Sequence, residues 1–258
     1  SRSSQPAGAA APMSRDGVGA PIGVVAALPA EARCLGGWGE RGCPDECVRV
    51  SLSGMGQARA YRAARSLAGQ GVSALVSFGT AGALAPGLGA GDVVLGTAVQ
   101  FGQEIIEADP DWPSRLAGKL DGRVRVEQGK ILHAEAVLAS PLDKSRLFRS
   151  TAALAVDMET AGVARAAAEH GLPWLAIRAI VDAQGVSIPA LALDALGADG
   201  RPRLGKLLAG IARAPTALPR LLRLGRDFRA ARSALKTVVR LAGYGLGYSP
   251  ARRGASWG

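Results

Sequence analysis

An apolar run beginning at Leu154 reaches two carboxylates, Asp157 and Glu159, on either side of Met158. It then passes directly into Ala161-Gly162-Val163-Ala164-Arg165-Ala166-Ala167-Ala168. The small residues of that second half suit a closely packed helix, so one element ends and a helix begins across Asp157 to Thr160. Carboxylates at such a junction are stabilised by unpaired helix N–H groups and by the helix dipole, which is the simple role for Asp157 and Glu159. The sharper role is to hold a ligand hydroxyl, with Glu159 as the group that does so. It gains weight from a second apolar run, Leu172 to Val181, which ends in Asp182 and then Ala183-Gln184-Gly185. In open α/β sheets, ligands collect at strand ends of this kind.

The N-terminal half repeats the pattern. Pro21 to Leu28 reads as a buried strand, and Pro29-Ala30-Glu31-Ala32-Arg33 as the start of a helix with Glu31 in its first turn. Glu31 either improves helix-end electrostatics or aims a carboxylate into a pocket at the strand end. Val48 to Leu52 is the next strand, followed by Ser53-Gly54-Met55-Gly56 and a helix from Gln57 to Gln70. Strand, glycine turn and helix form an anion-binding unit, because the backbone N–H groups of the turn point toward the ligand. The turn fails as a dinucleotide fingerprint, since Arg59 stands where a third glycine is required. Ala74 to Leu84 then opens into the small-residue stretch Gly79-Thr80-Ala81-Gly82, and Gly91-Asp92 precedes a further β-branched run. Glycines here permit tight turns and a close approach of ligand to backbone.

The chain has 258 residues with 48% hydrophobic content, enough for a sizeable core. Residues 1–19, rich in Ser, Ala and Pro around Met13, read as a disordered leader without a secretory apolar segment. Residues 20–200 form the main domain, 201–245 a basic amphipathic helical extension and 246–258 a flexible tail. No stretch offers the roughly 18 uninterrupted apolar residues of a membrane span, so a cytoplasmic protein is expected. Cys34, Cys43 and Cys47 are odd in number, and the absence of a His near Cys43 and Cys47 argues against zinc. They read as ordinary thiols, with no metal site. The formal net charge of +10 is concentrated in residues 201–240, which hold eleven basic residues against Asp227 alone.

Together these motifs resemble the nucleoside phosphorylase and nucleosidase superfamily over roughly Ile22 to Gln184. The resemblance implies a three-layer α/β/α sandwich around a mixed, partly barrel-like sheet, with a nucleoside site at strand ends. The methylthioadenosine and adenosylhomocysteine nucleosidases are most similar in the catalytic motifs. By that resemblance Asp182 hydrogen-bonds the purine and promotes protonation at N7, Glu159 grips ribose hydroxyls, and Glu31 positions the attacking water. Met158 packs against the sugar, Thr80 stands beside the reacting centre, and Asp157, Gly79, Ala81, Val137 and Leu138 complete the substrate site. Cleaving an N-glycosidic bond develops positive charge on the sugar and negative charge on the departing base. A positioned acid contributes on the order of 10² to 10⁴ in rate. Asp182 must carry a proton when it acts, so a raised pKa is expected there, whereas Glu159 should stay ionised to bind hydroxyls.

Departures from the family pattern are informative. Phosphate-using members of the hexameric purine phosphorylase type carry an arginine where this chain has Ser77, and Glu31 occupies the water-positioning slot. Both lean toward hydrolysis. Ser53, Gly54, Thr80 and Arg33 still offer a water or phosphate site, with Arg59 nearby, so phosphate stays open as a co-substrate. No other cofactor is implied. Val137 holds the place where the nucleosidases stack an aromatic on the base. His133 reads as a surface or core histidine more readily than a pocket one, and His170, before Gly171, as a helix C-terminal residue.

The tail departs most. Leu204, Leu207, Leu208 and Ile211, and then Leu218, Leu221, Leu222, Phe228, Ala231, Leu235 and Val238, recur at helical spacing with arginines between them. From Pro219 to about Ala242 they make one amphipathic helix or two. Its two roles are a helix packed on the body, or peripheral contact of 204–242 with the inner face of the cytoplasmic membrane. With the Val156-Asp157-Met158-Glu159 motif, this tail resembles the hopanoid-associated phosphorylases, to which removal of adenine from adenosylhopane is ascribed. The resemblance implies a nucleoside with a hydrophobic tail as substrate and a homo-oligomer, a dimer by analogy. A soluble nucleoside such as methylthioadenosine is the alternative. The Leu stripe and scarcity of aromatics argue against nucleic acid.

Overall fold

The computed structural model describes residues 20–36, 47–189, 191–192 and 215–249. Alternation along the strands sets its layers. On β1 (Ile22–Ala26), Ile22 and Val24 join one core and Val25 the other. The same split runs through β3 (Ala74–Ala83), where Val76 and Phe78 oppose Leu75 and Ala81. On β8 (Trp174–Asp182), Leu175 and Ile177 oppose Ala176 and Ile180. Side chains of period two on both faces require cover on both faces. One cover is made by α2 (Gln57–Gly69) and α5 (Thr160–Glu169), through Ala60, Ala64, Leu67 and the alanine run Ala161 to Ala167. The other is made by α3 (Trp112–Leu120) and a C-terminal helix, α6 (Leu218–Ala242).

The remaining elements are α1 (Pro29–Ala32), β2 (Val48–Leu52), β4 (Val93–Phe101), β5 (Glu104–Glu107), β6 (Val126–His133), α4 (Pro141–Thr151) and β7 (Ala155–Asp157). The sheet runs β2-β1-β3-β7-β6-β4-β5, and β8 pairs with both β3 and β4. The pairings β3–β8, β8–β4, β4–β6, β6–β7 and β7–β3 therefore close a ring, with β1 and β2 extending it as a parallel flap. This is the expected α/β fold with a mixed, partly barrel-like sheet. Strand β3 forks at its end, where Gly82 is in register with Val156 of β7 on one side and Asp182 of β8 on the other.

Two features refine the reading of the C-terminus. The amphipathic segment forms one continuous helix, and from Asp227 onward it buries Ala231, Ala234, Leu235, Val238, Val239 and Ala242. That part is core. The first turns differ, since Leu218 and Leu222 are 40% and 64% exposed among arginines. Residues 246–248, counted with the tail in the sequence, also pack inward. Leu246 is buried and its carbonyl accepts from Trp112 Nε1 at 2.7 Å, while Tyr248 lies against the Trp112 ring. The leader 1–19, residues 193–214 and 250–258, and Cys43 lie outside the described residues. Among the described residues no helix is long and apolar enough to cross a membrane.

Helices α2 and α5 meet at Gly162, where an added Cβ would fall 2.4 Å from the Gln57 carbonyl oxygen and 2.8 Å from the Tyr61 amide nitrogen. Both are backbone atoms and cannot swing aside. Gly162→Ala should therefore destabilise the protein by about 1–3 kcal/mol despite its gain in helix propensity, read as a lower denaturant midpoint; an unchanged midpoint would contradict this packing.

Candidate active site

At the end of β1 the chain turns into α1, whose short length brings Glu31 back over the strand end. Glu31 is 2% exposed. Its Oε2 accepts from the Leu28 amide at 2.9 Å, which is the helix-end role, and its Oε1 accepts from the Thr80 amide at 2.8 Å and the Thr80 hydroxyl at 2.7 Å. Gly79 makes this approach feasible, because a Cβ there would lie 2.8 Å from the Glu31 carboxyl carbon and 2.6 Å from Arg178 Nη1. Burial pushes the Glu31 pKa up, against the opposing pull of the Arg178 charge and the Thr80 and Leu28 hydrogen bonds.

Arg178, in the middle of β8, is 1% exposed. Its Nε lies 2.5 Å from Asp157 Oδ2, and its Nη2 donates to Ser77 Oγ at 2.6 Å and Thr160 Oγ1 at 3.0 Å. Asp157 also accepts from the Thr160 hydroxyl and, at 3.1 Å, from the Thr160 amide, so it caps α5. Its oxygens are committed within the protein. The structure thus gives Asp157, placed in the substrate site by sequence, an internal bracing role. Ser77 is fully buried in the same network.

Glu159 is the N-cap residue of α5, and its Oε1 accepts from the Gly56 amide at 2.8 Å. The glycine turn predicted to bind an anion therefore donates to the protein's own carboxylate. Burial, reinforced by the nearby Asp157 charge, pushes the Glu159 pKa up to about 7, while Arg178 pulls it down. Desolvation beside a second acid thus outweighs the helix-end stabilisation that the sequence offers Glu159.

Asp182 ends β8 at 3% exposure, against Gly82, where an added Cβ would lie 3.3 Å from its Oδ2. Burial raises its pKa, as expected, against an opposing partner that was not legible in the sequence. Lys144 of α4, fully buried, forms an ion pair with Asp182 Oδ2. Sequence reasoning missed both Lys144 and the function of Arg178. The only available signal was an arginine within an otherwise apolar strand.

The other expected residues divide. Met158 and Thr80 are half-buried beside Glu159 and Glu31, and Gly79 and Ala81 lie buried on β3. Val137 is 37% exposed and Leu138 half-buried on the segment between β6 and α4. Arg33 and Arg59 are exposed; Gly54 and Ser53 form the turn, with the Ser53 hydroxyl on the Gly54 carbonyl at 2.8 Å. His133 is a buried histidine edge-on to Phe101 at 4.9 Å, with its pKa lowered by burial. His170 caps the C-terminus of α5, its Nδ1 2.9 Å from the Ala166 carbonyl.

What the arrangement offers is four buried carboxylates around the end of β3: Asp157, neutralised by Arg178, and Glu31, Glu159 and Asp182, with the Arg178 charge beside Glu31 and Glu159 and Lys144 on Asp182. Because folded Glu159 holds its proton more tightly than the unfolded chain does, its contribution to stability is full below the ordinary carboxylate range and is lost as pH rises through about 7. Glu159→Gln should therefore stabilise the protein at pH 8 by on the order of 2–3 kcal/mol and leave it nearly unchanged at pH 4. Denaturant melts at the two pH values check this, and equal effects at both would contradict it.

Comparison with known proteins bears on the fold and the family. The 5'-methylthioadenosine/S-adenosylhomocysteine nucleosidases of Mycobacterium tuberculosis (strain CDC 1551 / Oshkosh) and Mycobacterium bovis are each 28% identical over 179 residues, covering 54% of this chain and 70% of theirs. A Helicobacter pylori methylthioadenosine nucleosidase mutant, solved with 5'-methylthioadenosine in its active site, shares the fold with a TM-score of 0.60 at 17% identity, over 86% of this chain and 99% of its own. The futalosine hydrolase of Helicobacter pylori strain 26695 does so with a TM-score of 0.61 at 17% identity, over 86% and 97%. The Phosphorylase superfamily matches residues 43–213, most of the sheet and two of the three acidic positions, and the chain belongs to that superfamily.

Proposed function

We propose that this protein hydrolyses the N-glycosidic bond of a 5'-substituted adenine nucleoside. The observation that carries the reading is the convergence of Glu31, Glu159 and Asp182 on the end of β3, each buried and each with its pKa raised. The nucleosidase relatives support the reaction class. Asp182, protonated, gives its proton to N7 of the purine, so that the base leaves neutral. Glu159 accepts hydrogen bonds from the ribose hydroxyls and, once ionised, favours the developing sugar cation. Glu31 accepts a proton from water as that water attacks C1′. Two kinds of carboxylate environment divide the acid and base work.

Water is favoured over phosphate because the buried cation at the centre and the glycine-turn amide already serve the protein's own carboxylates. Arg178 is neutralised by Asp157, Arg33 is exposed, and the Gly56 amide serves Glu159. A phosphate at the centre would meet the buried carboxylates of Glu31 and Glu159 and an arginine already neutralised by Asp157.

The substrate that fits the whole chain best is a nucleoside with a hydrophobic 5' substituent, adenosylhopane. Support comes from the first turns of α6, where Leu218 and Leu222 stand exposed among Arg220, Arg223 and Arg226. Leucines seated in a headgroup region with arginines on anionic lipid, each worth about 1 kcal/mol, would hold the enzyme where a nearly insoluble substrate resides.

Incubation with methylthioadenosine should release adenine without added phosphate, and Asp182→Asn should abolish that release while retaining a cooperative melt; unchanged release in the variant removes the acid assignment. Deleting α6 would strip out core residues, so the lipid reading is better tested by Leu218→Gln, Arg220→Gln and Leu222→Gln combined. That variant should bind anionic liposomes several-fold more weakly and slow only on the lipid nucleoside. Equal rates on lipid and soluble substrates relative to the unaltered protein would make the exposed turns irrelevant to substrate choice.

A further inference from the structure

Helix α4 buries a single side chain completely, and that side chain is Lys144. A lysine is the costliest residue to place in such a position unless its charge and all its donors are satisfied. They are. The ammonium has three N–H donors, and three acceptors meet it: Asp182 Oδ2, the Val186 carbonyl at 3.1 Å and the Ala183 carbonyl at 3.3 Å. The two carbonyls lie just past the end of β8, on the segment that follows Asp182, so one cation ties down both the carboxylate and the backbone behind it. With every donor committed, Lys144 has none left for a substrate atom. Whatever it contributes passes through Asp182.

The surroundings of Asp182 supply charges of both signs. From α4 comes Lys144, which favours the ionised carboxylate; from α6 comes Asp227, which opposes ionisation. Asp227 is itself 8% exposed and is met by Arg223 at 3.7 Å and Arg226 at 3.5 Å, so its effect is partly offset. From β3 and β7 come Gly82 and Val156, which are uncharged. Burial disfavours the anion that Asp182 becomes when its proton leaves. A fixed cation on one oxygen corrects this and stabilises the anion that forms when the proton leaves.

We infer that Lys144 is a positioning residue for Asp182: by holding Oδ2 it leaves Oδ1 as the oxygen that meets the purine and gives it a proton. The inference rests on the nucleosidase reading. In the step it governs, the Oδ1–H bond breaks and an N7–H bond forms, while the C1′–N9 bond breaks with its electron pair staying on the base. Water oxygen bonds to C1′ and its proton passes to Glu31. Asp182 has lost one proton and Glu31 has gained one, and solvent returns each to its starting state.

The test is the pH profile of kcat for adenine release from methylthioadenosine in the full chain, with Lys144→Gln, Lys144→Arg and Asp227→Asn compared with the unaltered protein. The limb on which activity falls with rising pH reports loss of the Asp182 proton. In Lys144→Gln that limb should move to higher pH and kcat should fall at least about ten-fold, since the acid then holds its proton too tightly. In Lys144→Arg, which keeps the charge, the limb should stay in place. Asp227→Asn should move it the other way, to lower pH. A fall in kcat with an unmoved limb in Lys144→Gln would make the lysine purely structural and overturn the inference. If Lys144→Gln does not fold, Lys144→Arg carries the test, and a limb that moves in that charge-conserving variant overturns the inference. Absence of adenine release by the unaltered protein would instead sink the nucleosidase reading. Carboxyl NMR titration of Asp182, which needs no turnover, would still show whether Lys144 and Asp227 shift it in opposite directions.

Discussion

A guanidinium that is 1% exposed needs compensating partners, and those that meet Arg178 are the groups from which the site is built. Asp157 neutralises it from the end of β7, Ser77 and Thr160 take the donors of its Nη2, and its Nη1 lies over Gly79 beside Glu31. Removing one partner of such a pair leaves an uncompensated charge and costs about 3–5 kcal/mol, so these contacts hold or fail together. Through them β3, β7, β8 and the first turn of α5 are locked in one register. Glu159, two residues beyond Asp157, inherits its position from that lock.

The fork of β3 explains why the acids converge. A strand that pairs with β8 along its length and with β7 at its end brings the last residues of three strands to one place. Glycines at 79 and 82 then leave room for Glu31 and Asp182 to lie directly over the backbone. The result is a desolvated cluster of acids with distinct sets of neighbours: Arg178 and Thr80 for Glu31, Asp157, Arg178 and Gly56 for Glu159, Lys144 for Asp182. Such tuning is what lets one fold hold an acid, a base and a hydroxyl-binding group side by side near neutral pH.

Much of this was legible in the sequence, for local reasons. Apolar runs that end in Asp157, Glu159 and Asp182, and a helix start that contains Glu31, mark strand ends by periodicity and helix-end chemistry alone. The glycine turn at 54–56 was also visible, and in the structure its Gly56 amide donates to the Glu159 carboxyl. Lys144 was not legible, because Pro141-Leu142-Asp143-Lys144-Ser145-Arg146 has the composition of a solvated helix and only the tertiary fold turns one of its charges inward. Arg178 was hidden for the opposite reason: its neighbours are so apolar that the strand pattern dominates. In the C-terminal helix, the Leu/Arg periodicity was clear but could not say which turns are covered. The structure divides it near Asp227, with the later turns in the core and the earlier ones exposed.

The central claim is that Glu31, Glu159 and Asp182 surround one adenine nucleoside. A crystal structure with an unreactive adenine nucleoside analogue tests it most directly. It should place N7 of the base within hydrogen-bond distance of Asp182 Oδ1, the ribose hydroxyls on Glu159 and a water between Glu31 and C1′. An analogue bound elsewhere, or one with its sugar turned away from Glu159 and Glu31, would contradict the account.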